Sequence, residues 1–212
     1  MARRASVRVL LVDDFQLVRE GLRMALETVD GIEIVGEAGD GAQGLAEAAR
    51  LRPDVVLMDV RMPEVDGIEA TRRIAALDGP PIRVLLLSTF DLEEYLYEGV
   101  RAGVAGITLK DTPPDELAAG IEALARGDAL VDPETTVRLI ASVTRSLPAV
   151  EPSDGLAALS AGERELLAAI ARGGSNAEIG ASADEVAALL ARLGVRERIR
   201  AVMLAHETRM TG

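Results

Sequence analysis

Residues 54–67 read DVVLMDVRMPEVDG. Val55 to Met58 form an apolar run of strand length without polar alternation, and the run stops on a carboxylate, Asp59. Such a run predicts a strand buried on both faces, as in a parallel sheet with helices on either side. Working outward, the same alternation repeats. Strands are predicted over Val7–Val12, Ile32–Gly36, Arg83–Leu87 and Gly106–Leu109. Helices are predicted over Phe15–Glu27, Ala42–Leu51, Ile68–Ala76, Leu92–Ala102 and Pro114–Arg126, with Pro114 near a helix start, where its missing N–H costs nothing. Five strands alternating with five helices imply a doubly wound α/β fold, in which function collects at the C-terminal ends of the strands.

Five polar side chains stand at those ends. Asp13 and Asp14 close the first strand, Asp59 the third, Ser88 the fourth and Lys110 the fifth. The first and third strands are neighbours in such a sheet, so the three carboxylates converge. Like charges that close do not all stay ionised without a cation. A hard divalent ion with oxygen ligands, Mg²⁺, resolves the repulsion. Metal, hydroxyl and ammonium around one carboxylate make an electrostatic clamp for a phosphoryl group, with Asp59 as nucleophile.

The stretches VLLVDDF (9–15), DVVLMDVRMPEVDG, VLLLSTF (84–90) and AGITLKD (105–111) resemble the receiver domains of two-component response regulators, over roughly the first 60% of the chain. The resemblance implies the flavodoxin-like, CheY-like five-stranded parallel fold and makes Asp59 the phosphoacceptor. Asp14 becomes a direct Mg²⁺ ligand, Asp13 a partly water-mediated one, and the backbone carbonyl of Arg61 completes the metal site. The Arg61 side chain is expected in solvent. Ser88, Thr89 and Lys110 hold the phosphoryl oxygens, and Pro63 and Gly67 match the family's loop. One position departs from the pattern. Receivers usually carry Tyr or Phe three residues before the lysine, and here Ile107 stands there, so the switch pair is Ser88 with Ile107.

A further helix is expected over Pro133–Arg145, and LPAVEPSDG (147–155) reads as a linker. Only helical segments follow. Ser160 with Glu163, Ser175 with Glu178 and Ser182 with Glu185 each form a capping box; Gly194 ends the third helix, and a last one is expected over Arg196–Arg209. LSAGERELLAAIARGGSNAEIG (159–180) and LLARLGVRERIRAVMLAHE (189–207) resemble the LuxR-type helix-turn-helix of NarL/FixJ regulators. Between them roughly eight residues, about two helical turns, are missing relative to the family. Ala183, Asp184 and Glu185 fall where Lys, Thr and His normally stand, and carboxylates facing phosphates repel them. The DNA-contact candidates are Ser175, Asn176, Arg192, Arg196 and Arg198. The expected organisation is a receiver over 1–127, a linker with a helix over 128–155, and a small all-α helix-turn-helix segment over 156–212.

The bulk numbers fit. Of 212 residues, 49% are hydrophobic and 27% charged; there is no cysteine to form disulfides or thiolate metal sites, and His206 is the single histidine. Aromatics at 2% argue against a stacking platform for single-stranded nucleic acid. The net charge is −12. Residues 1–126 carry 23 acidic and 14 basic side chains and residues 147–212 carry 9 and 7, so the C-terminal part lacks a basic footprint. With no membrane-span pattern and no signal-peptide pattern at Met1–Arg8, the chain is expected in the cytoplasm. Three readings of function arise. The first is a phosphorylated transcriptional regulator with a histidine-kinase partner, a homodimer and DNA. The second is a phosphorylation-dependent interaction protein that no longer binds DNA. The third is an aspartyl-phosphate phosphatase. The adjacent pair Asp13–Asp14 with a separate Asp59 fits a receiver better than that enzyme, so catalysis is expected only on the chain's own phosphoryl group.

Overall fold

The computed structural model describes residues 6–89, 92–128, 132–145 and 154–210. Most of the 147–155 linker and Phe90 lie outside the described residues. Five strands, β1 (Val7–Val12), β2 (Ile32–Ala38), β3 (Val55–Asp59), β4 (Arg83–Ser88) and β5 (Gly106–Leu109), form one parallel sheet in the order β2-β1-β3-β4-β5. Between and after them run α1 (Gln16–Leu26), α2 (Gly41–Leu51), α3 (Gly67–Ala75), α4 (Leu92–Ala102) and α5 (Pro114–Arg126). The continuous apolar runs become strands buried on both faces. Leu10, Val12, Val56, Met58, Val84 and Leu86 belong to one core cluster. Val9, Leu11, Val55, Leu57, Leu85 and Leu87 belong to the other, which α1 and α5 close with Leu26, Leu117, Ile121 and Leu124. The period-2 alternation of a strand divides the two sets. β2 runs two residues beyond its sequence expectation because its end is held by β1, with Val12 opposite Ala38.

Six more helices follow: α6 (Pro133–Arg145), α7 (Asp154–Ala157), α8 (Ala161–Ala171), α9 (Asn176–Ile179), α10 (Ala183–Arg192) and α11 (Arg198–Glu207). The three expected capping boxes are formed, at the starts of α8, α9 and α10. The last helix begins at Arg198 rather than Arg196, because Glu197 caps it in an extended conformation (φ −113°). Ile199 and the run Ala201 to Ala205 are all buried. A helix apolar on most of its circumference is an interior helix, and α11 packs against α8, α6 and α4. α6 contacts α4 as well as α11, with Ile140 fully buried. One apolar cluster thus joins Leu86 and Leu96 in the α/β part to Ile140, Val202 and Met203. Among the described residues no helix is long and apolar enough to cross a membrane.

Candidate functional site

The register Val12 opposite Met58 sets the next residues, Asp13 and Asp59, side by side at the C-terminal edge of the sheet. Asp13 is buried; its Oδ1 accepts from the Phe15 amide (2.9 Å) and its Oδ2 from Lys110 Nζ (2.6 Å). Lys110 Nζ also lies 3.0 Å from Asp59 Oδ1. The lysine is fixed from its own backbone, where its amide donates to the Ser88 carbonyl (2.8 Å) at the end of β4. Ser88 is buried, Thr89 beside it is exposed, and Ile107 is buried in β5 opposite Leu86.

Burial pushes the Asp59 carboxyl above the usual carboxylate range. Lys110 pulls against this, the Asp13 charge adds to it, and a hydrogen bond from the Arg61 backbone works against it. Burial alone would lower the Lys110 ammonium, but its hydrogen bonds and charge attraction to Asp13 and Asp59 leave it raised. Both results describe an acid-rich pocket held together by one cation. One ligand atom from each of Asp13, Asp14 and Asp59 lies within 4.8 Å of the others. Asp14 Oδ1 is buried without a hydrogen-bond partner. Three carboxylates against one ammonium leave about two negative charges, and an oxygen-only donor set of that charge fits a hard divalent cation.

The backbone around Asp59 is built to leave this edge open. Gly67 starts α3 and donates its amide to the Val60 carbonyl (2.9 Å). A Cβ at Gly67 would lie 2.0 Å from the Asp59 carbonyl oxygen, so only glycine lets the loop close. Asp66 caps α3 by accepting from the Glu69 amide. A cleft of about 450 Å³ opens beside the pocket, lined by Asp14, Arg61, Met62, Pro63 and Tyr95 among others.

The Arg61 side chain is exposed, as expected, but it also has a partner there. Its Nε donates to the Tyr95 hydroxyl (2.5 Å) and its guanidinium carbon stands 5.3 Å from the Tyr95 ring centroid. Tyr95 comes from α4, more than thirty residues away in sequence, and no local pattern announces the pairing.

Two DNA-contact candidates are corrected. Arg198 is 5% exposed and donates to Asn176 Oδ1 (2.6 Å) and to the Gly174 carbonyl; Asn176 is itself buried. Both side chains are turned inward by the packing of α11. Arg192 is exposed but paired with Glu163 (2.6 Å), and Arg196 donates to the Ala75 carbonyl at the end of α3. The Ser175 hydroxyl serves its own capping box with Glu178.

A family model described as response regulator receiver domain matches residues 9–122. The transcriptional regulatory protein YxjL of Bacillus subtilis is 41% identical over 175 residues, covering 82% of this chain and 79% of its own. The response regulator protein VraR of Staphylococcus aureus is 34% identical over 210 residues, covering 95% and 97%. Among solved structures, the receiver domain of the response regulator NarL from Mycobacterium tuberculosis is 37% identical with a TM-score of 0.56, over 58% of this chain and 99% of that one. The response regulator ChrA of a heme-sensing two-component system is 34% identical with a TM-score of 0.54, over 98% and 100%. The chain belongs to the two-component response regulators, with a receiver domain of the kind carried by LuxR-type regulators.

Proposed function

We propose that Asp59 accepts a phosphoryl group from the phosphohistidine of a sensor kinase and that this state controls transcription through the C-terminal helices. The observation that carries the reading is the Lys110 ammonium bridging Asp13 and Asp59, with an unpartnered Asp14 oxygen beside them. An Asp59 carboxylate oxygen attacks phosphorus. The new P–O bond forms as the P–N bond breaks, and the imidazole leaves with the bonding pair and takes up a proton. Lys110 neutralises the transferred oxygens, the Ser88 hydroxyl donates to one of them, and Thr89 stands at the pocket's rim. Asp13, Asp14, Asp59 and the Arg61 carbonyl would hold Mg²⁺, which would supply charge neutralisation there. The reading implies a cytoplasmic protein that turns over no substrate besides its own phosphoryl group.

Phe15, Leu17 and Met24 are large exposed apolar side chains at and along α1, beginning next to Asp14. They offer a kinase or a second copy of the chain an apolar surface beside the phosphoacceptor. Acetyl phosphate with Mg²⁺ tests the chemistry: intact mass should show one added phosphoryl group, and Asp59→Asn should remove it. Labelling that survives Asp59→Asn refutes the assignment.

A second reading, a phosphorylation-dependent interaction protein without DNA binding, is favoured by the inward Arg198 and Asn176 and the paired Arg192. The name of YxjL, a transcriptional regulatory protein, favours the transcriptional one. Titration with DNA at several salt concentrations separates the two: phosphate contacts give a steep loss of affinity with salt, and no binding at low salt by the phosphorylated chain selects the second.

A further inference from the structure

We propose that Tyr95 is a positioning residue for cation binding at the acidic pocket, acting through Arg61. The inference rests on the phosphoacceptor reading and goes beyond it, because Tyr95 lies on α4, outside the set of carboxylates that would hold the cation.

Arg61 reaches both the pocket and α4. Its backbone amide donates to the Asp59 carboxylate, and its side chain lines the same cleft as Asp14. Arg61 follows β3 in the loop that ends at Gly67, a loop that carries a non-glycine residue, Glu64, at φ +63°. Such a backbone conformation persists only when its surroundings hold it. The long arginine side chain is gripped twice at its far end, by the Tyr95 hydroxyl as acceptor and by the ring face beneath the guanidinium. Tyr95 is half-buried and packs against the main core, and the next residue, Leu96, is fully buried. A rigid helix therefore anchors the residue whose amide orients Asp59. The link also ties α4, which packs on α6 and α11, to the pocket. Apolar Ile107 has no polar atom with which to make such a tie.

The molecule contains its own control. Tyr97, also on α4 and half-buried, pairs with Arg101 in the same manner (3.0 Å to the hydroxyl, 5.5 Å to the ring centroid), but within the helix. Loosening of α4 in general should follow from changes at either tyrosine. An effect on the pocket should follow only from Tyr95. The chain has two tyrosines and no tryptophan, so in a Tyr97→Phe background tyrosine emission reports Tyr95 alone.

The test is titration of the full chain with MgCl2, without any phosphodonor, by calorimetry and by tyrosine emission. Saturable binding that changes Tyr95 emission is expected. Tyr95→Leu and the exposed-site variant Arg61→Met should each raise the Mg²⁺ Kd about three- to tenfold, the loss of one cation–ring contact and one hydrogen bond. Tyr95→Trp, which keeps a ring beneath the guanidinium, should recover most of the affinity, and Tyr97→Leu should leave it unchanged. A wild-type Kd in both Tyr95→Leu and Arg61→Met overturns the inference, as does equal weakening by Tyr97→Leu. If the wild-type chain binds no Mg²⁺ and takes no phosphoryl group from acetyl phosphate, the phosphoacceptor reading fails with it. If it does both and Tyr95 is silent, only this inference fails.

Discussion

Lys110 Nζ sits 2.6 Å from Asp13 Oδ2, closer than it comes to Asp59. The phosphoacceptor is thus left with the longer ion pair, and the buried aspartate beside it is held tightly by Lys110, the single lysine of the chain. With Asp13 at 1% and Lys110 at 14% side-chain exposure, solvent does little to replace the partner that either would lose.

Removing the lysine should therefore be costly. Lys110→Met leaves clustered carboxylates facing one another, and loss of one member of a buried pair costs about 3–5 kcal/mol. Urea unfolding in metal-free buffer should show a loss of that order. Saturating MgCl2 should restore part of it, because at a hundred times its Kd a ligand specific for the folded state adds about 2.7 kcal/mol. An unchanged midpoint in Lys110→Met would remove the ammonium from its assigned place.

Asp59 should make stability depend on pH in the opposite sense to an ordinary paired carboxylate. Its folded value is raised, mainly by burial, so the folded chain binds the proton more tightly than the unfolded chain. The associated stability is present below the ordinary carboxylate range and is lost as pH rises through the folded value. Asp59→Asn should erase that loss and leave the metal-free protein more stable than wild type at pH 7. Urea midpoints for both proteins between pH 4 and 7 check the sign.

Gly67 should tolerate no side chain. Its Cβ would meet the Asp59 carbonyl at 2.0 Å, and that atom is backbone. Gly67→Ala is expected to cost about 3 kcal/mol, the upper range for overpacking a tight site. It should also slow acetyl-phosphate labelling by moving Asp59. Gly162→Ala, on an open face of α8 with nothing within 4 Å, serves as control: it should cost no stability and leave labelling unchanged.

The seam between α11 and the receiver should weaken above neutral pH. Glu197 lines a cavity of about 40 Å³ with Leu77, Pro80, Ile82 and Arg196, and burial raises its carboxyl to about 7 against the pull of Arg83 and Arg196. A raised acid contributes stability that is complete below its unfolded value and disappears as pH rises through about 7. Glu197→Gln should gain on the order of 1 kcal/mol over wild type at pH 8.5, where solvent screens part of the charge, and little at pH 5. His206 contributes in the other direction. Burial lowers its folded value, so its stabilising effect is lost as pH falls below about 6.5. Measuring from pH 7 upward separates the two.

The periodicity of the chain already determined the sheet. Uninterrupted runs such as Val55–Met58 and Val84–Leu87 can be satisfied only by burial on both faces, and the polar residues ending them reach the same edge whatever the surrounding detail. Asp13, Asp59, Ser88 and Lys110 were legible for that reason. The capping boxes at Ser160, Ser175 and Ser182 were legible too, because two residues within one four-residue stretch decide each helix start. What sequence alone left open depends on contacts between distant segments. Exposed Arg61 gained Tyr95 of α4 as a partner, and Arg198 turned inward because α11 is packed on several sides, where a charge read in isolation is assigned to solvent. Side-chain periodicity is a local property of the backbone, whereas the partner of a long flexible cation is chosen by whichever surface folding brings within its reach.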